Sequence, residues 1–284
     1  MRKTRTCANA QLNTGVSKCP PDFGKMIGAI IVGANAKLPA DLTADKLEEL
    51  VHADENERVY GIVRFTEYAK NGGEAQTATN GYGPTEFNGF SARIDTFTMN
   101  KFYPELHASI TRAANASTPR GVYFFDENNM LYGLSDGTDV LAPYDMSTIY
   151  SDATPHPTSS AKATMTVSFS HTDAKLAATN FDYIQLNFNP AKLTLGLTEV
   201  ILTKTATSGN AYKLIEKVGG YDVTGIYGPL IAEAGSTVLN GSTSAATYNA
   251  SENTITIAGT GTVGLKSPSV LFASGIKGII QVSE

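Results

Sequence analysis

From Lys162 to Ser170 the chain alternates: Ala163, Met165, Val167 and Phe169 hold one phase, and Thr164, Thr166, Ser168 and Ser170 hold the other. A period of two is the spacing of a strand with one buried and one wet face. The pattern commits the fold to sheets, because short runs of strand-forming residues recur along most of the chain. Arg58–Thr66, Phe90–Thr98, Arg120–Asp126, Met130–Leu134, Phe181–Phe188 and Glu199–Thr203 read as further strands. Asp126–Asn129 separates Val122-Tyr123-Phe124-Phe125 from Met130-Leu131-Tyr132 and reads as a hairpin turn. Two segments carry helical spacing instead. Ala40–Ala53 offers Thr43 as N-cap, Asp45 in the first turn and Leu47, Leu50 and Val51 on one face. Pro104–Ala114 opens on a proline suited to a first turn and repeats Leu106, Ile110, Ala113 and Ala114 at helical intervals. The expected class is α+β, mainly β, with two short helices.

The two ends differ from this middle. Residues 1–25 show neither periodicity, contain Gly15, Pro20, Pro21 and Gly24, and are rich in Asn, Thr and Ser. They read as an extended arm with too little apolar surface to fix itself on its own domain, so a neighbouring subunit is the expected partner that orders it. A main β-rich domain is expected over residues 26–218. After about Gly219 charge thins out and Gly, Ser, Thr and Ala dominate, so residues 219–284 read as a small C-terminal β-domain with strands at Val238-Leu239, Thr254–Ala258 and Ile276–Val282. An immunoglobulin-like sandwich is one form it could take, without the Cys and Trp marks of antibody domains; continuation of one sheet system is the other. Asn71–Pro84, polar and glycine-rich, reads as a long loop available for interaction.

Composition narrows the function classes. With 42% hydrophobic and 17% charged residues the chain can fold around a core. Its net charge is −5 and no basic run follows Arg2, Lys3 and Arg5, which argues against a protein that grips a nucleic-acid backbone. Thr6–Lys18 is polar and supplies no apolar core for a secretion signal, so synthesis in the cytoplasm is expected. The longest apolar stretch, Met26–Ala34, is about half the ~20 residues a bilayer span needs, so no membrane insertion is expected. Cys7 and Cys19 are too few for a disulfide framework or a four-ligand zinc site; two free thiols are the expectation, one loop-closing disulfide the alternative.

Motifs for chemistry fail one after another. Gly259-Thr260-Gly261-Thr262-Val263-Gly264 matches G-x-G-x-x-G, but Pro268 follows and no helix pattern is read after it, so it reads as a glycine cluster between strands. His52, His107, His156 and His171 form no ligand pair at helical spacing. Asp126-Glu127-Asn128-Asn129 starts like a calcium loop, but Met130 stands where the third oxygen ligand belongs. Glu48, Glu49, Asp54, Glu55 and Glu57 read as a solvated face, and the sequons at Asn115, Asn240 and Asn249 read as chance in an Asn/Ser/Thr-rich chain. Nucleophile-elbow and P-loop patterns are absent. No catalytic, cofactor-binding or metal-binding residue is assigned, no cofactor is expected, and the chain reads as a non-enzyme. The lack of any Trp lowers the expectation of a carbohydrate-binding module.

The arm from Cys7 to Pro21, the segment Glu74-Ala75-Gln76-Thr77-Ala78-Thr79-Asn80-Gly81-Tyr82-Gly83, and Arg120-Gly121-Val122-Tyr123-Phe124-Phe125-Asp126 with its hairpin together give a texture similar to structural virion proteins of tailed bacteriophages, especially the crassvirus-like phages of gut Bacteroidales. That resemblance, over about the first 200 residues, carries no catalytic residue. It implies a tube- or ring-type sheet domain in a subunit of a tail ring, tail tube or head-to-tail connector. The implied partners are copies of itself and neighbouring virion proteins, with DNA only as non-specific passing cargo. A capsid-decorating or fibre-type virion protein is the alternative within that class, and a carbohydrate-binding or adhesin module the alternative outside it.

Overall fold

The computed structural model describes residues 22–33, 36–55, 57–79, 81–114, 120–138, 140–205, 209–240, 245–258 and 262–283. Most of the expected arm, both cysteines, the sequon at Asn115 and the start of the glycine cluster lie outside the described residues. The chain packs as two units: one holds the described residues up to Leu47 together with Tyr60–Thr194, the other Glu48–Val59 and the described residues from Leu195 onward.

In chain order the first stretch contains β1 (Met26–Val32), α1 (Ala44–Val51), β2 (Tyr60–Val63), β3 (Phe65–Gly72), β4 (Ala75–Thr79), β5 (Thr85–Phe90), β6 (Arg93–Met99), α2 (Pro104–Ala114), β7 (Arg120–Asp126), β8 (Met130–Ser135), β9 (Leu141–Ala142), β10 (Tyr144–Ser151), β11 (Met165–His171), α3 (Ala174–Thr179) and β12 (Phe181–Gln185). The remainder contains β13 (Thr198–Lys204), β14 (Ala211–Glu216), α4 (Thr224–Ala234), β15 (Leu239–Asn240), β16 (Ala245–Asn249), β17 (Thr254–Ala258), β18 (Gly264–Leu265), α5 (Pro268–Ala273) and β19 (Ile279–Gln281). The fold is α+β and mainly β. The helices number five among the described residues rather than two.

The first unit is built on an antiparallel sheet ordered β12-β8-β7-β10-β11-β6-β3, with β1 pairing β7 and β2, and β9 pairing β8. The run Val122–Asp126 of β7 is buried throughout, as expected of a strand covered on both faces. On one face Phe65, Phe97, Phe124 and Phe169 form a ring cluster: Phe65 stacks on Phe97 at 4.4 Å, and Phe169 meets Phe124 edge to face at 5.2 Å. Met99, Met146 and Met165 fill the gaps around it, the role an unbranched side chain suits. Tyr123 is fully buried, donating its hydroxyl to Leu141 O at 2.8 Å and accepting from Leu38 N at 3.2 Å.

The hairpin at Asp126–Asn129 forms as expected, with Phe124 opposite Tyr132 and Phe125 opposite Leu131. Asn129 takes the left-handed conformation the turn requires (φ 60°). The Asp126 carboxylate accepts from Asn128 N (2.9 Å), Met130 N (2.8 Å), Gly24 N (2.8 Å) and the Tyr132 hydroxyl, so both oxygens serve the turn and the chain entering β1. The expected strand Arg58–Thr66 is broken at Arg64 (φ 74°), which separates β2 from β3. Thr43 caps α1 as expected, its hydroxyl accepting from Lys46 N at 3.3 Å.

The second unit corrects two expectations. Its sheet runs β16-β17-β14-β13-β19, antiparallel except for the parallel pair β13 and β19. β13 and β14 therefore belong here, and the unit begins near Leu195 instead of 219; strand pairing outweighs the composition shift. The sheet is covered by α4, with α5 joining the same core through Leu271, where a sandwich would place a second sheet. Val200, Leu214, Ile231, Ile255, Leu271, Ile276 and Ile279 are all essentially inaccessible to solvent. Gly228 lets α4 approach closely, since a Cβ there would lie 2.7 Å from the Tyr248 ring. His52 supplies a further tie: its Nδ1 lies 2.8 Å from Glu48 O, its Nε2 accepts from Gly278 N at 3.1 Å, and its ring stacks on Phe272 at 4.5 Å.

Candidate assembly interface

Asn71–Pro84 is not an irregular loop. β3 and β6 pair from Phe65 opposite Met99 to Gly72 opposite Arg93, and the ladder continues outward through β4 and β5, from Ala75 opposite Phe90 to Thr79 opposite Thr85. The proximal part belongs to the main sheet through the pairing of β6 with β11. The distal part is a separate two-stranded ribbon. The five residues of β4 give it a length of about 17 Å.

Glycine makes the junction. Gly72 (φ 73°) and Gly73 (φ 74°) both adopt the left-handed region, and a Cβ on Gly72 would lie 1.8 Å from Ala92 O. Any other residue there meets both backbone strain and a collision with main chain, so the ribbon's departure angle is written into this pair. Gly73 N donates to Ala92 O at 3.1 Å and Ser91 N to Glu74 O at 3.0 Å, holding the strands together across the bend.

Below the bend lies a buried polar network. Asp95, 2% exposed, receives Arg93 Nε on Oδ1 (3.1 Å) and the Arg93 guanidinium again on Oδ2 (2.9 Å), the Tyr68 hydroxyl on Oδ1 (2.9 Å) and His171 Nε2 on Oδ2 (2.6 Å). Burial works to raise the Asp95 pKa, but the His171 hydrogen bond and the Arg93 charge outweigh it, and the carboxyl is held below its ordinary range. Burial, then the Asp95 charge, push the Tyr68 phenol up to about 12, so it remains a donor. Thr96 and Ser168 join hydroxyls 3.0 Å apart one position along. The network ties β3, β6 and β11 together where the ribbon leaves the sheet, with Asp95 and His171 buried at its centre and Tyr68 and Arg93 partly exposed at its rim.

Above the bend the ribbon has almost no cover. Every described residue of β4 is exposed except the partly exposed Ala78, and Thr85–Asn88 are exposed. Tyr82 at the tip is fully exposed and Phe87 is 54% exposed. Phe87 and Phe90 meet edge to face at 5.2 Å, so both rings lie on one side of the ribbon. A two-stranded hairpin is marginal in water without a third strand or a packed face, so this element is built for company.

The sequence candidates for chemistry do not converge. His107 Nε2 lies 2.8 Å from Asp152 O, His156 is exposed, and His52 and His171 sit in the separate buried settings described above. Among the described residues no three His, Cys, Asp or Glu side chains gather in a metal-ligating group. In the acidic stretch, Glu48 pairs with Lys277 at 2.7 Å and Asp54 accepts from the Ser269 hydroxyl at 3.0 Å, which makes part of it a docking edge within the second unit instead of a solvated face. Among the described residues no helix is long and apolar enough to cross a membrane. The Asp95–His171 contact, 76 residues apart in sequence, was missed. Its signal was present: in Arg93–Met99, Asp95 falls in phase with Phe97 and Met99, a charge at a core position.

No family model and no curated protein matches the chain. Among solved structures it is similar to a chain in a cryo-EM structure of the anti-feeding prophage cap (AFP tube terminating cap), at 11% identity over 62% of this chain and 99% of that one, with a TM-score of 0.27. Likeness at that level carries no inference about this protein.

Proposed function

We propose that this chain is a non-enzymatic structural virion protein that assembles with copies of itself into a ring of a phage tail, tail tube or head-to-tail connector, and that it works in the virion beside neighbouring virion proteins. The observation that carries the reading is the β4–β5 ribbon, whose described residues are mostly exposed and whose two outer edges have no strand beside them among the described residues, with α3 approaching β5. Edges of that kind invite another chain, and proteins that stay monomeric blunt them. The buried network beneath it spends several polar groups on fixing its base, as an element with a defined docking target requires. The net charge of −5 suits a conduit that DNA passes without adhering.

The test is a chain in which Ala75–Phe90 is replaced by an Asn-Gly turn joining Glu74 to Ser91, already hydrogen-bonded neighbours. The shortened chain should keep its far-UV spectrum and lose higher-order species in sedimentation and native mass measurements, while the full chain forms closed rings under negative stain. A full chain that stays monomeric with its partners present, or a shortened chain that assembles equally well, overturns the reading.

A further inference from the structure

We propose that β4 pairs edge to edge and antiparallel with β4 of a second copy of this chain, turning two ribbons into one four-stranded sheet. The inference rests on the ribbon being an assembly element and adds which edge is used and what occupies it.

The two outer edges of the ribbon are unequal. β5 carries Glu86 and is interrupted by a bulge: Gln76 faces Gly89 but Thr77 faces Phe87, which leaves Asn88 as the extra residue, and Gly89 has φ 109°. A bulge and a charge are common means of protecting an edge. β4, with the sequence Ala-Gln-Thr-Ala-Thr, has no charge, no proline and no extra residue. Its outer backbone groups have no strand beside them among the described residues. The open edge is therefore β4.

A second β4 fits that edge best. Two neutral strands meet without like-charge contact, whereas β5 against β5 would bring one Glu86 toward another. A two-fold axis perpendicular to the sheet keeps equivalent faces on the same side. The side that carries Phe87 and Phe90 then continues across the junction, giving four aromatic rings on one face. Each ribbon gains its third and fourth strands in a single contact, the threshold at which a small sheet becomes stable. Such a contact joins copies in pairs, in addition to whatever closes a ring.

Disulfide trapping tests this. In a chain with Cys7→Ser and Cys19→Ser, the single changes Gln76→Cys, Thr77→Cys and Ala78→Cys are each oxidised mildly. At the residue on the axis, two Cα atoms about 4.5–5.5 Å apart lie within disulfide reach. One of the three should yield covalent dimer at about tenfold the level of Glu86→Cys, the exposed control on β5. Equal yields from Glu86→Cys, or no β4 dimer in a chain that is oligomeric by native mass, overturns the pairing and leaves the assembly reading standing. Cross-linking of Thr77→Cys to Thr247→Cys on the neutral strand β16, without self-pairing, overturns it in the same way. Unchanged assembly after removal of the ribbon overturns both.

Discussion

Replacing Asp95 by asparagine removes the one charge that faces Arg93 and His171 together. Breaking a buried pair from one side leaves its partners uncompensated and costs about 3 kcal/mol. Urea unfolding of Asp95→Asn should show a lower midpoint by that amount with an unchanged slope. The pH dependence has a defined sign. Asp95 is held below its ordinary 3.8 in the folded chain, so its contribution is fully present above 3.8 and disappears as pH falls through the lower folded value. The gap between the natural chain and Asp95→Asn should therefore shrink as pH falls below 3.8. Tyr68 acts at the other end: raised from 10.0 to about 12, its contribution is complete below pH 10 and lost as pH climbs toward 12. Tyr68→Phe should remove that alkaline component when stability is followed from pH 9 to 12.

At the scale of the element, Gly72→Ala should cost about 1–3 kcal/mol through backbone strain and, by forcing Ala92 aside, re-aim the ribbon. The expected readout is new protease cleavage within residues 74–91 together with a melting temperature lowered by a few degrees. Gly228→Ala presses a methyl against Tyr248 and should lower stability by about 1–3 kcal/mol, measured by denaturant titration. These two glycines also mark where the sequence misleads. Alternation made β11 legible, runs of strand-forming residues made β6, β7 and β8 legible, and the N-cap at Thr43 made α1 legible. In α4, Gly225, Gly228 and Pro229 read as breakers, yet Ile231 packs at the centre of the second core, and tertiary burial overrides the poor propensity. The ribbon was read as a loop because its glycines and polar residues are what a strand with no buried face carries. Periodicity reports burial, and there is none here to report. The Asp95 network was hidden for a different reason, since its members meet only once β3, β6 and β11 are aligned.

For the whole molecule, the second unit is discontinuous in sequence. Glu48–Val59 belongs to it, with His52 hydrogen-bonded to Gly278, Glu48 paired with Lys277, and the Phe272 ring in contact with both the His52 ring and the Lys277 ammonium. A fragment starting at Leu195 keeps Phe272, Lys277 and Gly278 but lacks His52 and Glu48. It should melt below a version in which residues 48–59 are fused to it through a flexible linker, compared by calorimetry at equal concentration. An equal melting temperature would mean that the early segment contributes no stability. No composition shift could have located this boundary, because it is defined by contacts 226 residues apart.

That separation has a consequence for how the protein is made. His52 leaves the ribosome 226 residues before Gly278, a delay of about ten to forty-five seconds at ordinary rates of elongation. Until then the imidazole waits without Gly278, whereas the strands that complete the first sheet, the last ending at Gln185, are made well before it. The second unit thus matures after the first, and a ribosome that stalls shortly before Gly278 releases a molecule whose first sheet is whole and whose second is unfinished.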